Sequence, residues 1–251
     1  MTDLGSGVGI RYLLETRYDR DRLGEPREQF PRAPAFKEYP PDVKRVSLPA
    51  ISEQFKADFW TLLRERRSRR DYLDSPVSQD ELAGLLWGSQ GVTLTFRNFA
   101  FRAAPSAGAL YPVETYVAVH QVTRLDPGIW HFQVRQFGLE LVAPGDFRRE
   151  LVAAGLNQSF LGKAAVVFIW SGILHRSLWK YRQRAIRYLF LDAGHICQNL
   201  HLAATALGLG CCPVGAFFDG EVERLLQIDG QEEVALYLAA VGRVELSRLQ
   251  F

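Results

Sequence analysis

The chain has 251 residues, 47% of them hydrophobic and 23% charged, with a net charge of +2. That is the length and balance of one large globular domain or two small ones with a real core. The small net charge argues against nucleic acid as a partner, since such binders usually spread basic residues over a face or groove. No uncharged apolar run reaches the roughly 18–20 residues of a membrane span, and the N-terminal stretch lacks the pattern of a secretory signal. Three cysteines, Cys197, Cys211 and Cys212, form no C-x-x-C pair and read as buried thiols in a reducing cytoplasm. Five scattered histidines offer no metal-ligand spacing, so no metal is expected.

In chain order, residues 1–50 are proline-rich and aperiodic, the signature of an irregular arm with one short helix near Ile10–Arg17. Residues 51–251 form the folded domain. From Ile51 the spacing of Phe55, Phe59, Leu62 and Leu63 predicts a helix. A second helix follows in PVSQDELAGLLWGSQGV, with Ser78 as N-cap and Glu81 completing a capping box. RAAPSAGALYP (102–112) is a loop of small residues, and VETYVAVHQV (113–122) is a strand. GIWHFQV and LELV pair as a hairpin, FRRELVAAGL is a short helix, and AAVVFIWSGI (164–173) is a buried strand. A long helix runs from about Gln183 to Leu207, apolar nearly all round in its second half and therefore buried. LGLGCCPVGAF reads as a glycine-punctuated turn, EVERLLQI as a helix and EVALYLAAVGR (233–243) as the last strand. The sum is an α+β fold with a mixed or antiparallel central sheet around a long buried helix.

Four stretches could carry chemistry. Arg64 to Tyr72, RERRSRRDY, holds five arginines in nine residues. Guanidinium groups bind phosphate in planar, bidentate fashion, with Ser68 as a further donor; the same run also suits an exposed helix end. In PSAG (105–108) small residues admit a ligand close to the backbone, or form an ordinary surface loop. PVGA (213–216) could lay backbone N–H groups against a flat ring, or simply cap the preceding helix. Lys180 and Tyr181 could supply a proton acceptor if their surroundings activated one of them, since both groups ordinarily titrate near 10; a snorkelling lysine beside an amphipathic tyrosine is the plainer reading. His195, beside Asp192, reads as a satisfied core histidine.

Taken together and in this order, RRSRRDY (66–72), ELAGLLWGSQGV (81–92), RAAPSAGALYPVETYV (102–117), GIWHF (128–132), KYRQRAIRYLFLDAGHICQNLHLAATALGLG (180–210) and PVGAFFD (213–219) resemble the flavin-dependent nitroreductase superfamily. Within it they look like the SagB-type dehydrogenases, which include azoline oxidases of peptide-modifying pathways. The resemblance runs from about residue 36 to residue 243.

It implies an FMN-binding fold that forms a homodimer with a flavin in each of two interfacial sites. Arg66, Arg67, Ser68 and Arg70 match the motif holding the FMN phosphate, ribityl chain and pyrimidine edge, and Arg243 matches a basic residue reaching the same phosphate. Pro105, Ser106, Ala107 and Gly108 match a loop that contacts the flavin from the partner subunit. Pro213, Val214, Gly215 and Ala216 match a segment against the isoalloxazine, where a backbone N–H points at N5. Lys180 and Tyr181 match the Lys–Tyr pair of azoline oxidases. Arg64 and Arg69 are left to solvent or to acidic neighbours such as Glu65.

The sequence departs from ordinary nitroreductases at 213–216, where they carry a P-x-E-G-type turn, and at 106–109, where they carry an asparagine-containing loop. Both departures agree with the SagB-type branch. The implied reaction dehydrogenates a thiazoline or oxazoline of a peptide or related natural product to the azole, with hydride transfer to flavin N5 and a proton to Lys180 or Tyr181. Other biosynthetic enzymes are expected partners. The alternatives are an NAD(P)H-dependent reductase of nitro compounds or quinones, and a non-catalytic member of a biosynthetic complex.

Overall fold

Two continuously buried strands, residues 113–119 and 166–172, set the architecture. The structure is a computed structural model and describes residues 7–18, 20, 28–51, 55–97 and 99–245. Its elements are α1 (Val8–Glu15), β1 (Arg45–Ser47), α2 (Phe59–Glu65), α3 (Gln79–Gln90), β2 (Val92–Phe96), β3 (Phe99–Arg102), β4 (Val113–Val119), β5 (Gly128–Gln133), β6 (Gly138–Pro144), α4 (Arg148–Ala154), α5 (Phe160–Lys163), β7 (Val166–Ile173), α6 (His175–Tyr181), α7 (Ala185–Ala206), β8 (Leu209–Val214), α8 (Asp219–Leu226) and β9 (Glu233–Arg243). Short 3₁₀ turns occupy Ala107–Ala109 and Arg182–Arg184.

Seven strands form one sheet in the order β1-β6-β5-β4-β7-β9-β8, and β2 pairs with β3 in a separate hairpin. Every neighbouring pair in the large sheet is antiparallel. Among the described residues, parallel pairing is confined to the isolated bridges Ser68–Cys211 and Val77–Val122. The expected α+β fold is therefore present in its antiparallel form.

Alternation divides the central strands between two faces. Val166, Phe168 and Trp170 pack with Leu82, Leu85 and Leu86 of α3 and Ile196, Leu200 and Ala204 of α7. Val167 and Ile169 pack with Leu151 of α4, Leu161 of α5 and Val222 and Leu226 of α8. The 22-residue α7 is the long helix expected, and nine of its residues are buried. The capping box of α3 is present in both directions, Ser78 to Glu81 and back.

Three expectations need correction. The stretch read as a turn at LGLGCCPV is strand β8, and β8 is an edge of the sheet. Proline lacks a ladder donor, and an edge strand is where that lack is tolerated, so Pro213 marks an edge rather than a break. The first core-domain helix begins at Phe59, capped by Asp58, and not at Ile51; residues 52–54 lie outside the described residues. His195 is exposed on α7 and not in the core. The arm joins the sheet: β1 pairs with β6, Arg45 binds Glu140, and Lys37 donates to Glu233 at 2.5 Å and to Tyr116 at 2.7 Å.

One contact positions the basic stretch. Gly210 of β8 and Gly242 of β9 stand directly opposite each other across the sheet. The buried Tyr72 ring lies over this gap, and its hydroxyl donates to Ala240 O at 2.9 Å. A Cβ on Gly242 would sit 3.0 Å from Tyr72 Cδ1 and 3.2 Å from the backbone nitrogen of Ala165. The backbone on either side is tied down too, Arg69 N–H to Cys211 O and Leu73 N–H to Arg243 O. Gly242→Val should destabilise the fold by about 1–3 kcal/mol, as overpacking against backbone does. The urea midpoint measures this, and an unchanged midpoint would contradict the close approach.

Candidate functional site

The expected site residues fall into two groups. The first lies along the β8–β9 edge. Arg66 caps the C-terminus of α2 and the chain then runs extended beside β8, with Ser68 bridged to Cys211. His201 of α7, buried and held below the ordinary histidine range by desolvation, donates from Nε2 to Arg67 O at 3.1 Å. Arg67 Nη1 donates to the carbonyls of Arg64 and Arg66. The Arg70 guanidinium lies 5.6 Å from the Phe160 ring centroid. Among the described residues no carboxylate pairs with Arg66, Arg67 or Arg70, while Arg64 reaches Asp58 at 4.0 Å and Thr61 at 3.0 Å. Three guanidinium groups without counter-ions beside an exposed serine form a donor set suited to a phosphate.

Arg243 ends β9 in this neighbourhood. Its Nη2 donates to Glu81 Oε2 at 2.8 Å and its Nε to Pro76 O at 3.1 Å. The capping-box carboxylate of α3 thus fixes Arg243 as well as the helix start. Pro213 and Val214 complete β8 against Ala239 and Leu238, and Gly215 and Ala216 follow, both exposed. A Cβ on Gly215 would meet only Tyr237, at 3.6 Å, so the backbone here is open to close approach.

The second group is the loop 105–108 with Lys180 and Tyr181. Gly108 has φ +64, and a Cβ there would lie 2.4 Å from Tyr181 Oη and 2.5 Å from Lys180 Nζ. Both polar tips therefore meet over one glycine, at a backbone conformation that also favours glycine. Lys180 is exposed and Tyr181 half-buried at the end of α6. The Tyr181 ring packs edge-on against Tyr188, centroids 4.8 Å apart. Arg184 donates to the Tyr188 hydroxyl at 3.0 Å and, through Nη1, to Thr16 O just past α1, so the arm reaches this group.

Asp192 anchors the loop, and its role was not foreseen. It is the only carboxylate in α7 and is buried. It accepts from Ser106 Oγ at 2.5 Å and Ala107 N at 3.3 Å. Ser106 Oγ in turn accepts from Tyr111 N–H at 2.9 Å. Burial raises the Asp192 carboxyl above its ordinary range, against the hydrogen bonds that lower it. A single acid in a helix with a long buried face was the available signal. Among the described residues no hydrogen bond or bridge joins the second group to the first.

Residues 63–243 match the model of the nitroreductase family, and the chain belongs to that family. The nitroreductase-named protein MJ1384 of Methanocaldococcus jannaschii is 36% identical over 202 residues, 80% of this chain and 98% of that one. The trifolitoxin-processing protein TfxB of Rhizobium leguminosarum bv. trifolii is 30% identical over 57% of this chain and 40% of its own length. Among solved structures, a nitroreductase-named protein from Anabaena variabilis superposes with a TM-score of 0.69 at 30% identity. That match covers 81% of this chain but only 42% of the Anabaena chain. The Escherichia coli microcin synthetase McbBCD complex shares the fold with a TM-score of 0.65 at 23% identity, over 83% of this chain and 77% of the other. The chain thus spans less than half of TfxB and of the Anabaena protein.

Asp192→Ala should release the loop and cost about 1.5–3 kcal/mol, the range for hydrogen bonds to a charged group. Chemical denaturation measures the loss, and amide exchange at Ala107 should quicken. Unchanged exchange at that amide would remove Asp192 from its anchoring role.

Proposed function

We propose that this chain is an FMN-dependent oxidoreductase of the SagB type, dehydrogenating an azoline of a peptide or related natural product to the azole. The observation that carries this reading is the meeting of Lys180 Nζ and Tyr181 Oη over Gly108. A lysine and a tyrosine converging on the backbone of a loop of small residues are in reach of one bound substrate proton. The relation to a trifolitoxin-processing protein supports a peptide substrate, and the fold shared with a microcin synthetase complex supports assembly with other biosynthetic enzymes.

The first group fits FMN. Arg66, Arg67 and Arg70 lack carboxylate partners among the described residues, and Ser68 is exposed beside them. They would hold the phosphate and ribityl chain, with Arg243 oriented toward it by Glu81. Pro213 to Ala216, open at Gly215, would lie against the ring, and Pro105 to Gly108 would cover it from a second copy of the chain. FMN, when bound, supplies the acceptor for the hydride that leaves the azoline ring. Lys180 or Tyr181 takes the accompanying proton, so two electrons and two protons leave the substrate together.

A homodimer suits the exposed apolar side chains. Phe59, Trp60 and Leu63 on α2, Leu94, Phe96 and Phe99 on the β2–β3 hairpin, and Phe190 and Leu191 on α7 are all solvent-facing in the single chain, Trp60 to 65%. Large exposed aromatics on several elements mark an interface more than a bare surface. Among the described residues no helix is long and apolar enough to cross a membrane.

The similarity to MJ1384 over almost its full length favours a second reading, an NAD(P)H-dependent nitro or quinone reductase. Rapid bleaching of bound flavin by NADH or NADPH with ping-pong kinetics would establish it. On the main reading, Lys180→Ala and Tyr181→Phe should each lower the rate of azoline oxidation by about 10²–10⁴-fold, the usual contribution of a positioned proton acceptor, while flavin retention is kept. If both variants oxidise an azoline peptide at the parental rate, the assigned roles are wrong.

A further inference from the structure

Beneath the arm lies a group of buried charges that the proposed reaction does not use. Arg102, at the end of β3, is only 7% exposed. Its Nη1 donates to Gln90 Oε1 at 2.7 Å, and its guanidinium carbon lies 4.7 Å from the Tyr111 ring centroid. Its Nε has no hydrogen-bond partner among the described residues. The nearby carboxylates are already engaged. Glu114 receives Arg176 Nη1 on one oxygen and His131 Nε2 on the other. Glu140 receives His131 Nδ1 and Arg45 Nε.

Burial works against charge on His131, yet its bonds to the two glutamates raise it above the ordinary histidine value. Arg45, His131 and Arg176 therefore make the direct contacts to the two carboxylates, and Arg102 makes none. Burial, reinforced by Arg176, pulls its guanidinium down to about 10 despite Glu114. A buried cation with no carboxylate in direct contact is costly in water-poor surroundings.

Arg102 borders a cavity of about 90 Å³ between the arm and the residues following Gly108. Arg32 and Arg176 line it as well, and no acidic residue does among the described ones. Such a volume holds a few water molecules or one small ion. Arg32 is exposed and stacks on Trp179 at 4.9 Å, so it stands where an entering group would pass.

We infer that this cavity is a binding site for a small oxyanion, a carboxylate or phosphate group, held by the Arg102 guanidinium where it lines the cavity, with Arg32 closing over it. Occupancy would act on the loop. Tyr111 lines the cavity, its carbonyl accepts from Arg176, and its N–H is tied to Ser106 Oγ. A bound anion would therefore stiffen the segment on which Lys180 and Tyr181 rest.

The test is calorimetric titration of the flavin-loaded protein with inorganic phosphate and, separately, with acetate and N-acetylglutamate amide, at constant ionic strength. Flavin loading keeps the Arg66–Arg70 group occupied, so that it does not report. One saturable site per chain is expected, lost in Arg102→Gln and weakened about tenfold in Arg32→Ala, the effect of one charged hydrogen bond. Tighter binding of phosphate identifies a free ion as the occupant, and tighter binding of the two carboxylates identifies an acidic side chain. No saturable heat in the parent protein, including the case where a second copy's carboxylate already fills the cavity, overturns the inference. So does binding that survives Arg102→Gln, or, should that variant fail to fold, an unchanged affinity in Arg32→Ala.

Discussion

The Tyr72 ring seated over Gly210 and Gly242 is the contact on which the basic edge of the molecule depends. Five arginines in nine residues repel one another, and without a rigid backbone they would spread into solvent. The glycine pair removes two side chains at one register of the β8–β9 ladder, and the aromatic ring takes their place. The flanking amides of Arg69 and Leu73 then continue the sheet's hydrogen bonding, and His201 holds the carbonyl of Arg67 from behind. Without a carboxylate partner among the described residues are the guanidinium groups of Arg66, Arg67 and Arg70, carried on a backbone that need not be ordered when an anion arrives.

The loop 105–108 is held by a different device. Asp192 projects from α7 and gathers Ser106 and Ala107, so the loop is tied to the helix at two points. Gly108, at φ +64, then passes beneath Lys180 and Tyr181, and a side chain there would displace both polar tips. Both devices use the same helix, since His201 and Asp192 lie on α7 some two and a half turns apart. The helix thus anchors both residue groups.

Much of this was legible in the sequence where local chemistry and tertiary demand agree. The capping box at Ser78, strand β9 over 233–243 and the buried helix before Leu207 all follow from patterns that packing only reinforces. Strand β8 was not legible, because Gly208, Gly210 and Pro213 are turn residues by local preference and become a strand only at a sheet edge beside Tyr72. Helix α6 was hidden because Lys180–Tyr181 reads as the start of the long helix, whereas Arg182, at φ 53, breaks the chain between two helices. For the site, the arginine motif and the PSAG loop carried their residue types on the surface of the sequence. Asp192, His201 and Arg102 did not, since their meaning lies in partners 85 or more residues away, or, for Arg102, in having too few.

On the proposed function, the two residue groups would complete one flavin site only across two chains. Chains carrying Arg66→Ala and chains carrying Gly108→Val, each expected to release FMN when alone, can be co-expressed with different tags and purified as mixed dimers. If the groups meet between chains, both lesions fall in one site and the other is intact, so mixed dimers are yellow with one FMN per dimer. If the groups meet within one chain, each site carries a lesion and the mixed dimers are as colourless as their parents, which would contradict the account.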